Sequence, residues 1–155
     1  MQPRSRLPGA LIAVGGVVVV AWVVFGRALF GVAGQLTVVY LVTLGVLLVV
    51  LNAFISDSVM RTARRGFQHR RATFAMLFVS WGCALVLGLL IPDITTDGLQ
   101  TIATGASEPG RGIAVGFANP FGVVMVVCTI WALVLARGDS NGRADRPHVE
   151  EDDGY

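Results

Sequence analysis

Charge is missing from four long windows of this chain. Twenty uncharged residues separate Arg6 from Arg27, twenty-nine separate Arg27 from Asp57, twenty-one separate Arg71 from Asp93 and twenty-five separate Arg111 from Arg137. An α-helix rises about 1.5 Å per residue, so about 20 apolar residues cross a hydrocarbon layer about 30 Å thick. Backbone polar groups in such a layer must bond within their own segment, which leaves a helix or a closed barrel. A membrane barrel needs apolar and polar positions in alternation. Runs such as Val17-Val18-Val19-Val20 are apolar on both faces of any strand, so the pattern predicts helices despite the valine content.

The windows place four helices at about 8–25, 35–55, 72–91 and 112–136, within a transmembrane domain spanning 8–136. Residues 1–7 form a short leading tail and 137–155 a polar trailing one, expected to lack order because it is rich in Gly, Pro and charge. Pro92 stops the third helix. The fourth contains Asn119-Pro120, which reads either as an N-cap and first turn or as a kink in a helix begun at Gly112; the kinked single helix is preferred. The first window is longer than the roughly 7–15 apolar residues of a signal peptide, so an uncleaved helix is expected. The fold class is therefore all-α, an integral-membrane antiparallel bundle of four transmembrane helices.

Composition agrees with a lipid-facing fold: 54% of residues are hydrophobic and 14% charged, against about 25% charged in a typical soluble domain. All twelve basic residues are arginine, which with the Val, Ala and Gly excess suggests a prokaryotic source. Their distribution predicts orientation. Arg4 and Arg6, the group Arg61, Arg64, Arg65, Arg70 and Arg71, and the tail residues Arg137, Arg143 and Arg146 fall on one side, ten against Arg27 and Arg111 on the other. The positive-inside rule then puts both termini in the cytoplasm of a multi-pass cell-membrane protein.

The charged connections carry the remaining chemistry. Met60, Ala63 and Phe67 sit at helical spacing among the five loop arginines, which predicts a short interfacial helix whose arginines could contact anionic lipid headgroups; fixing topology is the simpler role. In the loop from Pro92 to Arg111, Leu99, Ile102, Ala103 and Ala106 predict a short amphipathic interfacial helix. Its acids, Asp93, Asp97 and Glu108, are spread too widely to converge on a cation, and a solvated loop is expected. Gly112, Gly116, Ala118 and Gly122 form overlapping small-residue motifs suited to helix packing within the bundle or between copies.

Several functions are disfavoured. Cys83 and Cys128 make no redox or zinc pair, His69 and His148 are isolated, and no catalytic, metal or cofactor residue is assigned. The spans carry no deep ionisable group of the kind used by proton-coupled pumps, and no protease signature. A basic surface of this size, without stacking aromatics, does not suggest nucleic acid. The leading expectation is a non-enzymatic accessory or structural membrane protein whose partners are lipids and itself or a larger membrane complex. One alternative is an oligomeric channel or transporter for a neutral or weakly charged solute, lined by Asn52, Ser80, Asn119 and Thr129. A second is a lipid-headgroup-binding protein or enzyme using the arginine loop.

Overall fold

The computed structural model describes residues 7–143; Arg4, Arg6, Arg146, His148 and the acidic run at 150–153 lie outside it. Four helices are long and apolar enough to cross a membrane: α1 (Leu7–Leu29), α2 (Leu36–Arg64), α3 (Arg71–Leu90) and α4 (Gly110–Ser140). A small antiparallel hairpin, β1 (Asp93–Thr95) and β2 (Gly98–Gln100), joins α3 to α4.

Helices α3 and α4 share the most extensive contact, and α1 packs against both α2 and α3. Two apolar clusters fill the interior. One gathers Val19, Val20, Val23, Val24, Leu48, Ala84, Leu87, Ile91 and Met125; the other gathers Ile12, Ile55, Val59, Leu77, Ala132, Leu133 and Ala136. Outside them, large apolar side chains such as Val17, Val18, Phe78, Val123 and Val127 remain exposed along the helices. A soluble fold would bury such residues.

Close helix approach is supplied mainly by glycines of α1. A Cβ on Gly16 would come within 2.8 Å of the Asn52 side chain, and one on Gly9 within 3.2 Å of the Ser56 carbonyl. These positions let α1 lie against α2, where Ser56 Oγ donates to the Gly9 carbonyl at 2.8 Å. The small-residue motifs of α4 behave differently. Gly116 would meet nothing within 4 Å, Gly112 would meet only the Glu108 side chain, and Gly122 would make ordinary contact with Leu87.

Helix α2 is not uniform. Leu41–Gly45 is a π-turn, so the inward-facing Tyr40 and Gly45 stand five residues apart, before the ordinary spacing resumes through Leu48, Asn52, Ile55 and Val59. The extra residue rotates Tyr40 toward the interior.

Several expectations about element boundaries need correction. Arg27 lies within α1 rather than beyond it. Helix α2 continues nine residues past Ile55 to Arg64, so Met60 and Ala63 belong to it and no separate interfacial helix forms. It ends where Gly66 adopts φ +76°, with Phe67 N–H bonding the Thr62 carbonyl at 3.1 Å, a Schellman closure. The fourth helix runs unbroken through Pro120 from Gly110 to Ser140. Residues 137–140, expected in the disordered tail, are helical up to a matching closure at Gly142 (φ +74°).

The interfacial helix expected in the loop after Pro92 is absent. Ile94 pairs with Leu99 and Thr95 with Gly98, while Thr101 and Gly105 make an isolated bridge. Local chemistry explains this: Thr95-Thr96 favours extended backbone, and Asp97-Gly98 favours a tight turn, with Gly98 at φ +99°. The hydrophobic spacing of Leu99, Ile102, Ala103 and Ala106 is real but gives way to these turn signals and to tethers. Ala103 N–H bonds the Leu89 carbonyl at 3.1 Å, and Arg111 Nη1 bonds the Leu99 carbonyl at 3.3 Å.

Candidate functional site: two buried aspartates that cap neighbouring helices

A helix leaves its first N–H groups without intrahelical partners. The residues just ahead of α2 and α3 are Gln35 and Arg70, neither of which caps its helix with its own side chain. In both cases an aspartate from another element supplies the acceptor, and in both cases an arginine sits beside it.

At the hairpin end, Asp93 follows the break at Pro92 and is fully buried. Its Oδ1 accepts from the backbone N–H of Leu36 at 2.9 Å and of Ile94 at 2.8 Å, and its Oδ2 accepts from Thr37 Oγ1 at 2.8 Å. Gly34 makes room for this. A Cβ there would collide with the Ile94 carbonyl, and the Gly34 N–H adds a further bond to the carboxylate. Arg27, also 0% exposed, places Nη1 3.4 Å from Asp93 Oδ2. The same guanidinium donates to the carbonyls of Pro92 and Val24, both at 3.3 Å, and lies over the Tyr40 ring at 4.5 Å. Tyr40 Oη donates in turn to the Pro92 carbonyl at 3.3 Å. Burial pushes the Asp93 carboxyl up, but hydrogen bonds from Thr37, Leu36, Gly34 and Ile94 outweigh it and hold the group below the ordinary carboxylate range.

At the arginine end, Asp139 in the last turn of α4 is also fully buried. Its Oδ2 accepts from the Arg70 N–H at 3.1 Å and from Thr73 Oγ1 at 2.9 Å, covering the start of α3. The Arg70 side chain lies 3.4 Å from Oδ1 and also bonds the Arg143 carbonyl at 3.0 Å. Arg65 Nη1 bonds the Ser140 carbonyl at 2.8 Å, tying the end of α2 to the end of α4.

Donors surround the Asp93 carboxylate, while Asp139 accepts its hydrogen bonds through Oδ2 alone and leaves Oδ1 to the Arg70 ion pair, so the two clusters hold elements in register. Arg27 Nε alone lacks a partner at the hairpin end among the described residues. Glu108 plays a related but exposed part: its Oε2 accepts from the Gly112 N–H at 3.1 Å, and it is held below the usual range by that bond and by Arg111.

The expectation of a uniformly solvated loop was therefore wrong for Asp93. The clue lay in the windows themselves. Arg27 and Asp93 are the charges that close the first and third windows, which places them at the same level once the chain alternates direction. Asp139, two residues past Arg137, carried no comparable signal.

The residues singled out by sequence are only partly brought together. Of the five loop arginines, Arg65 and Arg70 bond α4, Arg61 pairs with Asp57 at 2.8 Å, and Arg64 and Arg71 are exposed and pair with no described residue. The span polar residues do not share a cavity. Ser80 bonds Thr129 Oγ1 and the Met125 carbonyl, while Asn52 accepts from Trp81 Nε1 at 3.2 Å and donates to the Leu48 carbonyl at 2.9 Å. Asn119 is separate and exposed, on a side-open apolar groove of about 630 Å³ whose wall includes Tyr40, Leu44, Leu87 and Val126. Among the described residues, no three His, Cys, Asp or Glu side chains converge as metal ligands would. No family model matches the chain, and neither a curated protein nor a solved structure matches it.

Proposed function

We propose that the chain is a multi-pass cell-membrane protein whose four helices span the bilayer as an antiparallel bundle. Both termini lie on the cytoplasmic side, and the protein acts as a non-catalytic accessory or structural component through helix contacts. The observation that carries this reading is how the polar side chains are used. Inside the bundle they bind one element to the next: Ser56 to Gly9, Asn52 to Trp81, Ser80 to Thr129, Arg27 to Asp93 and Asp139 to Thr73. Outside, the helices present apolar side chains along their length. Polar groups turned inward and apolar groups outward suit a bundle whose solvent is lipid.

The arginine distribution supports the orientation. The five loop arginines and Arg137 lie toward the end where Asp139 meets Arg70, while Arg27 and Arg111 lie toward the hairpin. With ten arginines against two across the whole chain, the positive-inside rule puts the Asp139 end in the cytoplasm. Anionic lipid headgroups then meet the exposed Arg64 and Arg71.

The test is fractionation of the full-length protein followed by labelling of single introduced cysteines. The chain is expected to stay in the membrane pellet through alkaline carbonate. Gln35→Cys should react with an impermeant maleimide in intact cells, and Arg143→Cys only after permeabilisation. Release by carbonate would overturn the membrane reading, and the reverse labelling pattern would overturn the orientation. Purification in mild detergent should bring down further copies of the chain or another membrane protein.

A further inference from the structure

One polar side chain in the spans stands out because the bundle does not use it. Asn119 is exposed, and its carboxamide finds no hydrogen-bond partner among the described residues. The middle of the uncharged stretch 112–136 is Val124, five residues away. At about 1.5 Å per residue this puts Asn119 about 7.5 Å from the centre of its span, well within the roughly 15 Å half-thickness of the hydrocarbon layer. Lipid chains can fill space there but cannot bond an amide, so an unpaired carboxamide is costly. The next residue removes a helix donor. Pro120 has no N–H to give the Gly116 carbonyl four residues back.

Both groups lie on one face. At 100° per residue, Gly112, Gly116, Asn119, Val123, Val127 and Ile130 fall within a sector of about 80°, and all six are exposed. The bundle-facing residues Met125, Thr129, Ala132 and Ala136 lie on the opposite side of α4 and are buried. The spacing is that of a helix seam with one central Asn, the arrangement by which a polar residue fixes register between paired helices. Beside this face, α2 packs on α4 along Val46–Arg64 but not along Leu36–Gly45, and the divergence opens the apolar groove.

We propose that this face of α4 is covered by α4 of a second copy of the chain, in a twofold dimer in which the two Asn119 carboxamides bond across the axis. A carboxamide is donor and acceptor at once, so it is its own complement in an isologous contact, where each residue meets its equivalent. The glycines bring the helices close enough for that bond. The proposal rests on the reading of α4 as membrane-spanning.

The experiment counts subunits of the full-length protein in lipid bilayers by single-molecule photobleaching across a range of protein-to-lipid ratios, on material that carbonate has failed to extract. The expected result is a monomer–dimer equilibrium, weakened roughly tenfold by Asn119→Val and largely restored in Asn119→Gln. Gly116→Ile is the second variant. A Cβ there meets nothing within 4 Å in its own chain, so the variant should block the dimer without unfolding the monomer, whereas Gly82→Ile, where a Cβ on α3 is equally unobstructed, should leave the dimer intact. In a chain lacking Cys83 and Cys128, Asn119→Cys should form a covalent dimer on mild oxidation. A membrane-retained chain that stays monomeric at every ratio would overturn this proposal alone, with lipid as the cover. Cross-linking of Asn119→Cys to a different membrane protein would overturn it in favour of that partner. A dimer unaffected by both Asn119→Val and Gly116→Ile would show that another face is used. Carbonate extraction would remove the membrane reading together with the dimer.

Discussion

Asp93 shows how much can depend on one side chain that looks ordinary in the sequence. It pairs with Arg27, caps α2 and anchors the hairpin, all with no exposure to solvent. Removing one partner of a buried pair leaves the other charge uncompensated, which costs about 3–5 kcal/mol, more than the intact pair contributes relative to apolar replacements. Asp93→Ala should therefore destabilise the protein by roughly that amount in reversible unfolding, and Arg27→Leu combined with Asp93→Leu should recover part of the loss. The pH dependence has a definite sign. The folded carboxyl is held below its ordinary range, so its contribution is complete above the unfolded value and is lost as pH falls through the depressed folded value. Unfolding scans of wild type and Asp93→Ala should stay apart near neutrality and converge only in that acidic window. A gap that persisted below it would mean the charge is not what Asp93 contributes.

The helices differ in how they use glycine, and the sequence does not distinguish the uses. Gly16 and Gly82 both interrupt apolar helices, yet a Cβ on Gly16 would come within 2.8 Å of Asn52, while one on Gly82 would meet nothing within 4 Å. Gly82→Ala should stabilise α3 by about 0.5–1 kcal/mol, since glycine gives up more conformational freedom on folding. Gly16→Ala should instead destabilise, because Asn52 must move and strain its bond to Trp81. Thermal unfolding of the two variants in one detergent reads the opposite signs directly; a shift in the same direction would refute the packing account. The small-residue motifs of α4 were legible as motifs, but whether they face the bundle depends on rotation about the helix axis. That rotation is set by Met125, Thr129, Ala132 and Ala136 turning inward. The hairpin was misjudged because a helical spacing of apolar residues competed with turn residues, and the turn residues prevailed.

Across the whole molecule, the two ends are fastened by the same device, an aspartate capping the start of a neighbouring helix with an arginine beside it. This divides the loop arginines into two kinds. Arg65 and Arg70 hold the end of α4, while Arg64 and Arg71 are exposed and pair with no described residue. Changing Arg64 and Arg71 to Gln should weaken association of the purified protein with anionic lipid, measured by native mass spectrometry of retained lipids, and leave thermal stability unchanged. The same change at Arg65 and Arg70 should lower stability as well. Equal effects from both pairs would remove the distinction. The fold at this scale was the most legible part of the sequence. Four uncharged windows of twenty residues or more leave few alternatives once backbone polar groups must bond locally.

The sequence alone determined the number of helices, their approximate positions and the asymmetry of charge between the two ends, because these follow from length, hydropathy and where arginine occurs. Only the tertiary structure decided which charges are buried, since the distant partners of Asp93 and Asp139 lie 56 to 69 residues away along the chain. It also decided that α2 carries a π-turn, and that the turn residues after Pro92 prevail over a helical spacing of apolar residues to make a hairpin. And it decided that Asn119 looks away from its own bundle. A polar residue in a span announces itself in sequence, but whether it is already satisfied depends on helix rotation and neighbours, which appear only when the four helices are assembled.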